Sequence, residues 1–105
     1  MKIAKNGFDY IIEKRDGTTV TLSAYEAGLI VLFIRKENLR DLIIDVAESN
    51  SGDAWDMEKA PNGFDSFIDE IFEELEDEID YGNSVSEDEV YDKIVDLATI
   101  YDMML

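Results

Sequence analysis

The chain has 105 residues and a formal net charge of −17, from nine basic and 26 acidic side chains. That length suits one domain and is short for two, and 46% apolar residues with five Phe, five Tyr and twelve Ile set it apart from disordered acidic chains. There is no Cys or His, which excludes disulfides, thiol catalysis, Cys-ligated zinc and the commonest general base, while the acidic balance disfavours nucleic acid and anionic membranes as direct partners.

The longest nearly apolar run, Ala27 to Ile34, has eight residues, against roughly 20 for a membrane span. Met1 to Gly7 lacks the apolar stretch of a secretion signal. The expected location is the cytoplasm. The charge is also divided unevenly. Residues 1–40 hold seven basic and five acidic residues, net +2, and residues 41–105 hold two basic and 21 acidic, net −19. A salt-adapted protein would carry acid everywhere; acid gathered in one region suits a basic partner.

Phe8 to Glu13 is rich in strand formers and Thr18 to Leu22 alternates, so a β-hairpin is expected over 8–22 with Asp16-Gly17 at its turn. Asn6-Gly7 offers a second turn, and with it a third short strand at Lys2–Lys5. Ser23-Ala24-Tyr25-Glu26 has the spacing of a capping box and opens a helix over 24–48. Its run Leu29 to Ile34 is apolar on every side, which predicts a central, buried element. The same run suits a buried strand, and the cap and length favour the helix. A second helix start at Asn38 leads into Leu39, Leu42, Ile43 and Val46, so a kink or a break near Asn38 is expected.

Breaker clusters at Asn50 to Asp53 and Ala60 to Gly63 mark 49–63 as a loop. Its Trp55, the one Trp of the chain, reads as packing over the core, with an interface anchor as the alternative. Phe64, Phe67, Ile68, Ile71, Phe72, Leu75 and Ile79 follow helical spacing and predict a helix over 64–80, stopped by Gly82 and Asn83. Ser86-Glu87-Asp88-Glu89 is a second capping box, opening a helix over 87–103. The expected fold is α+β, one domain over 1–105, in which the hairpin packs against three or four helices. Leu32, Phe33, Ile43, Phe67, Ile71, Leu75 and Ile94 are its expected core.

Nine of the sixteen residues from Asp65 to Asp80 are acidic. At about 1.5 Å per residue that is one charge per roughly 2.7 Å, between the roughly 1.7 Å of duplex DNA and the roughly 3.4 Å of one strand. The like-charge i,i+4 pairs Glu70–Glu74, Glu73–Asp77 and Glu74–Glu78 each cost a few tenths of a kcal/mol. Solubility alone needs less. The final helix adds Glu87, Asp88, Glu89, Asp92, Asp96 and Asp102, the first three of them also explained by the helix dipole. The candidate partner-binding residues are therefore Asp69, Glu70, Glu73, Glu74, Glu76, Asp77, Asp80, Glu87, Asp88 and Asp92. The basic residues Lys14, Arg15, Arg35, Lys36 and Arg40 read as internal charge balance. No EF-hand order occurs at Asp77 to Asn83 or Ser51 to Asp56, and no phosphate loop or catalytic set accompanies the carboxylates. No enzyme activity, cofactor or metal is expected.

In size, charge, lack of Cys and His, and carboxylates crowded on helices, the chain resembles the small acidic proteins with which phages block host nucleic-acid enzymes, including nucleic-acid mimics, anti-CRISPR and anti-restriction proteins. The resemblance is one of type and carries no residue correspondence. It implies an inhibitor, acting in a host cytoplasm, that fills the basic DNA or RNA channel of an effector such as a CRISPR nuclease. The alternatives are an immunity-type or antitoxin-type protein that neutralises a basic toxin, and a non-enzymatic structural or assembly protein of a phage particle.

Overall fold

The computed structural model describes all residues, Met1 to Leu105. Residues 2–23 form an antiparallel sheet of three strands in sequence order, β1 (Lys2–Asn6), β2 (Asp9–Glu13) and β3 (Thr19–Ser23). The third strand offered by Asn6-Gly7 is thus present. β1 pairs with β2 from Lys2↔Glu13 to Asn6↔Asp9, with Gly7 at φ 64 in the first position of the two-residue turn. β2 and β3 pair from Asp9↔Ser23 to Glu13↔Thr19. Only Gly17 of the Asp16-Gly17 pair has positive φ, at 85. Asp16 instead caps the turn, accepting from the Thr18 amide at 3.0 Å and its hydroxyl at 2.6 Å.

Ser23 caps α1 (Ala24–Ser49) as expected: its hydroxyl accepts from the Glu26 amide, and the Glu26 carboxylate accepts from the Ser23 amide, both at 3.1 Å. Hydrogen bonding from Ser23, first from its amide and then from its hydroxyl, holds the Glu26 carboxyl below its usual range. α1 runs through Asn38 without a break, since Asn inside an established helix costs only a fraction of a kcal/mol relative to Ala, about 0.7 at most.

α2 (Phe64–Asp80) buries Phe67, Ile68, Ile71, Leu75 and Ile79 of the expected stripe and leaves Phe64 and Phe72 half-buried. It ends as Gly82 takes φ 84 and the Asn83 amide reaches back to the Glu78 carbonyl at 2.8 Å. α3 (Glu87–Ile100) begins at Ser86, whose hydroxyl accepts from the Glu89 amide at 3.2 Å. It stops at Ile100 rather than 103: Asp102 takes φ 57, and the Met103 amide turns back to the Ala98 carbonyl. The helices therefore number three, not four, with a short 3-10 turn at Met57–Lys59.

Two compact units divide the chain, Met1–Ile34 and Arg35–Leu105, and α1 crosses the boundary. The buried core lies wholly in the second unit, where Leu39, Ile43, Val46 and Ala47 of α1 join the stripes of α2 and α3. Of the expected core, Ile43, Phe67, Ile71, Leu75 and Ile94 are buried. Phe33 is 64% exposed and Leu32 only half-buried. The whole run Leu29 to Ile34 departs from the expectation of a buried element. An all-round apolar helix needs cover on every side, and within residues 1–34 a three-stranded sheet is the only other layer.

Trp55 is fully buried. Its indole N–H donates to the Ala47 carbonyl at 3.0 Å, and its ring meets Tyr91 at 5.2 Å between centroids. The strand-like segment after α3 fastens this loop: the Asp56 amide donates to Met103, and the Leu105 amide to Ala54. Substituting Trp55→Phe removes a buried hydrogen bond and leaves a void. The expected cost is about 2–4 kcal/mol, measured as a lower urea midpoint at unchanged slope. A loss below about 0.5 kcal/mol, the usual scale of surface changes, would show that the Trp loop does not anchor the core.

Candidate functional site

The polar faces of α2 and α3 follow from their apolar ones. Once Phe67, Ile71, Leu75 and Ile79 are buried, the carboxylates between them must line the flanks and back of α2. One flank meets basic residues of α1. Lys36 lies 2.9 Å from Asp80 and 3.9 Å from Glu76. Arg40 pairs with Asp69 and stacks on Phe72, 4.6 Å from the ring centroid. Arg35 donates to the Asn83 carbonyl at 2.8 Å. Internal charge balance is therefore what the contacts give for Lys36 and Arg40, whereas Arg35 meets a neutral carbonyl and Lys14 and Arg15 form no ion pair. The hydrogen bond to Asp80, aided by the charges of Asp80, Glu76 and Asp77, raises the Lys36 ammonium above its usual range against a desolvation cost.

Glu70 is also occupied within the fold, accepting from the Tyr101 hydroxyl at 2.7 and 3.0 Å. That bond raises the Tyr101 hydroxyl above the ordinary tyrosine range. Of the ten residues expected to meet a partner, Asp69, Glu70, Glu76 and Asp80 thus already have partners in the chain. Glu74 has a long contact, 4.0 Å, with Lys93. Glu73, Asp77, Glu87, Asp88 and Asp92 are exposed and form no ion pair.

The other flank of α2 faces α3 across an open groove of about 340 Å³. Glu74 and Glu78 stand on one wall, Glu89, Asp92 and Asp96 on the other, with Lys93 the sole base and Leu75 at the floor. Glu78, Glu89 and Asp96 were not among the expected site residues. Glu78 lies toward the apolar arc on a helical wheel, and only the pairing of α2 with α3 makes that position a groove wall. Glu78 also accepts from the Asn83 side chain at 3.0 Å. No three carboxylates converge closely enough to hold a metal ion. The groove can take positively charged side chains. Its polar lining consists of carboxylates and one ammonium group.

No family model, curated protein or solved structure matches the chain. No helix is long and apolar enough to cross a membrane.

Mutual repulsion along α2 and across the groove opposes folding, and salt screens it. The melting temperature is expected to rise between about 0.02 and 0.5 M NaCl, as the Debye length falls from roughly 20 Å to a few Å. Glu73→Lys with Asp77→Lys should raise it at low salt and have less effect at high salt. A melting temperature that falls with salt would show that ion pairs such as Lys36–Asp80 outweigh the repulsion. The Lys36 pairing has its own pH signature. A raised folded pKa gives stability that is complete below the unfolded value, near 10.4, and lost as pH rises through the folded one. Lys36→Met should therefore destabilise at neutral pH and flatten that alkaline loss, as followed by thermal melts at a series of pH values.

Proposed function

We propose that this chain is a non-catalytic inhibitor that binds a basic nucleic-acid-handling protein, a CRISPR effector nuclease being one example, and keeps DNA or RNA out of its channel by charge mimicry. The reading is carried by one observation: carboxylates left without a basic partner gather on the exposed back of α2 and around the α2–α3 groove. Glu73, Asp77, Glu78, Glu89, Asp92 and Asp96 are the residues assigned to that contact, with Glu87 and Asp88 extending it along the first turn of α3. Lysine and arginine side chains that otherwise hold phosphates would enter the groove and pair with both walls. Association would be steered by long-range attraction and weakened by salt. Neither a cofactor nor direct binding of nucleic acid has a part in this mechanism, which would operate in the cytoplasm of a host cell.

Affinity capture from a bacterial host lysate, at low and high salt, tests the reading. The expected captive is a basic nuclease or other nucleic-acid enzyme that is lost at high salt and displaced by added DNA or RNA. Glu73→Lys with Asp77→Lys should weaken the complex at least tenfold, about 1.4 kcal/mol, without loss of fold. Capture of a basic toxin that does not bind nucleic acid would favour the antitoxin reading. Co-purification with particle components would favour an assembly role. Binding and salt dependence unchanged by the double reversal would reduce the acidic surface to a solvated face.

A further inference from the structure

The first buried side chain of the chain is Leu39; residues 1–38 contain none. A three-stranded sheet needs a hydrophobic face or a packed helix for independent stability, and here every side chain of the sheet is half-buried or exposed. Between the sheet and the start of α1 lies an open groove of about 510 Å³, lined by Ile3, Tyr10, Ile12, Leu22, Gly28 and Val31 among others. Leu29, Ile30, Val31, Phe33 and Ile34 are each between 44% and 64% exposed, and Ile3 is 66% exposed. Leu29 and Phe33 face away from the groove; at about 200 Å² for a fully exposed large side chain, Ile3, Ile30, Val31 and Ile34 on the groove side present roughly 430 Å² of apolar surface. That is the size of the largest patch on a typical monomer, roughly 300–600 Å² and often functional, and about half of the roughly 800 Å² that each partner brings to a standard interface.

Charge indicates what covers it. Residues 1–34 carry four basic side chains (Lys2, Lys5, Lys14, Arg15) and four acidic ones (Asp9, Glu13, Asp16, Glu26), net zero. Residues 35–105 carry five basic and 22 acidic, net −17. A basic macromolecule is drawn to the second set and gains nothing electrostatically from the first. The neutral apolar face suits a surface equally neutral and apolar, and another copy of the chain supplies one at equal concentration. Gly28 adds a steric argument. Glycine is the poorest helix former after proline, yet no atom of the chain lies within 4 Å of where its Cβ would stand. Glycine there leaves room on this side of the helix for a second backbone. Ala24 and Ala27, beside it on the groove, keep that approach open.

We propose that residues 1–34 form a two-fold interface with a second copy of this chain, groove against groove, in which each α1 passes close to the other at Gly28 and the Ile30, Val31 and Ile34 side chains of each copy fill the groove of the other. The contact is isologous and therefore closes at two copies. It stands independently of the inhibitor reading.

Sedimentation velocity on the full chain tests it. The expected species is a dimer of about 24 kDa, twice 12.0 kDa, populated at micromolar concentration. Its dissociation constant should fall as salt rises, because two chains of −17 repel. This is the opposite of the salt response of a complex with a basic partner, so the two ideas fail separately. Gly28→Leu meets open space within the chain and improves helix propensity, and should yield a monomer with unchanged far-ultraviolet circular dichroism. Val31→Glu should do the same through desolvation of its charge. A native chain that stays monomeric at about 0.1 mM, well above the micromolar range of ordinary association, overturns the proposal, whatever else that face then binds. So does a dimer that survives both substitutions, or an open-ended polymer.

Discussion

Like charges repel, and residues 35–105 must hold a net −17 together. The apolar stripe of α2 is what holds them. Phe67, Ile68, Ile71, Leu75 and Ile79 are each no more than 5% exposed, and burying a side chain of this size contributes about 1.5–3 kcal/mol. The like-charge pairs along the back of the same helix cost a few tenths each. Packing therefore wins by a wide margin, and α2 can carry nine carboxylates between Asp65 and Asp80 because its other face is so thoroughly buried. Val90, Ile94, Leu97 and Ala98 do the same for α3. The acidic groove exists because two apolar stripes meet beneath it.

What could be read from the sequence divides along the same line. Where polarity alternates with a clear period, local pattern and tertiary burial agree, and α2 appears at its expected bounds. The strands and the Ser23–Glu26 cap were equally legible, since their signals lie within a few residues. Leu29 to Ile34 was not. Apolarity on every side states that a segment demands cover, without stating that the chain provides it. The end of α3 was missed because Asp102 adopts a left-handed conformation that Gly or Asn would have announced.

The candidate site was legible as a set of charges and illegible as a surface. Asp69, Glu76 and Asp80 look as free as Glu73 and Asp77 on a helical wheel. Their partners, Arg40 and Lys36, come from a helix some thirty to forty residues earlier in the chain. Likewise Glu78 gains its place on the groove only through α3. Sequence separation hides both facts: no local rule says which carboxylates a distant lysine will neutralise.

That neutralisation gives the remaining charge a direction. On the flank of α2 toward α1, each cation offsets much of the field of its neighbours. On the flank toward α3, five carboxylates share a single lysine, Lys93, whose one contact is 4.0 Å long. A cation approaching the molecule therefore feels the groove more strongly than the paired flank. It would also find carboxylates on two walls, so its charge could be met from both sides, as a guanidinium between phosphates is met. A single helix face offers only one side. The charge density of α2 alone lies on one helix face; the pairing of α2 with α3 sets negative charge on two walls with a cleft between them.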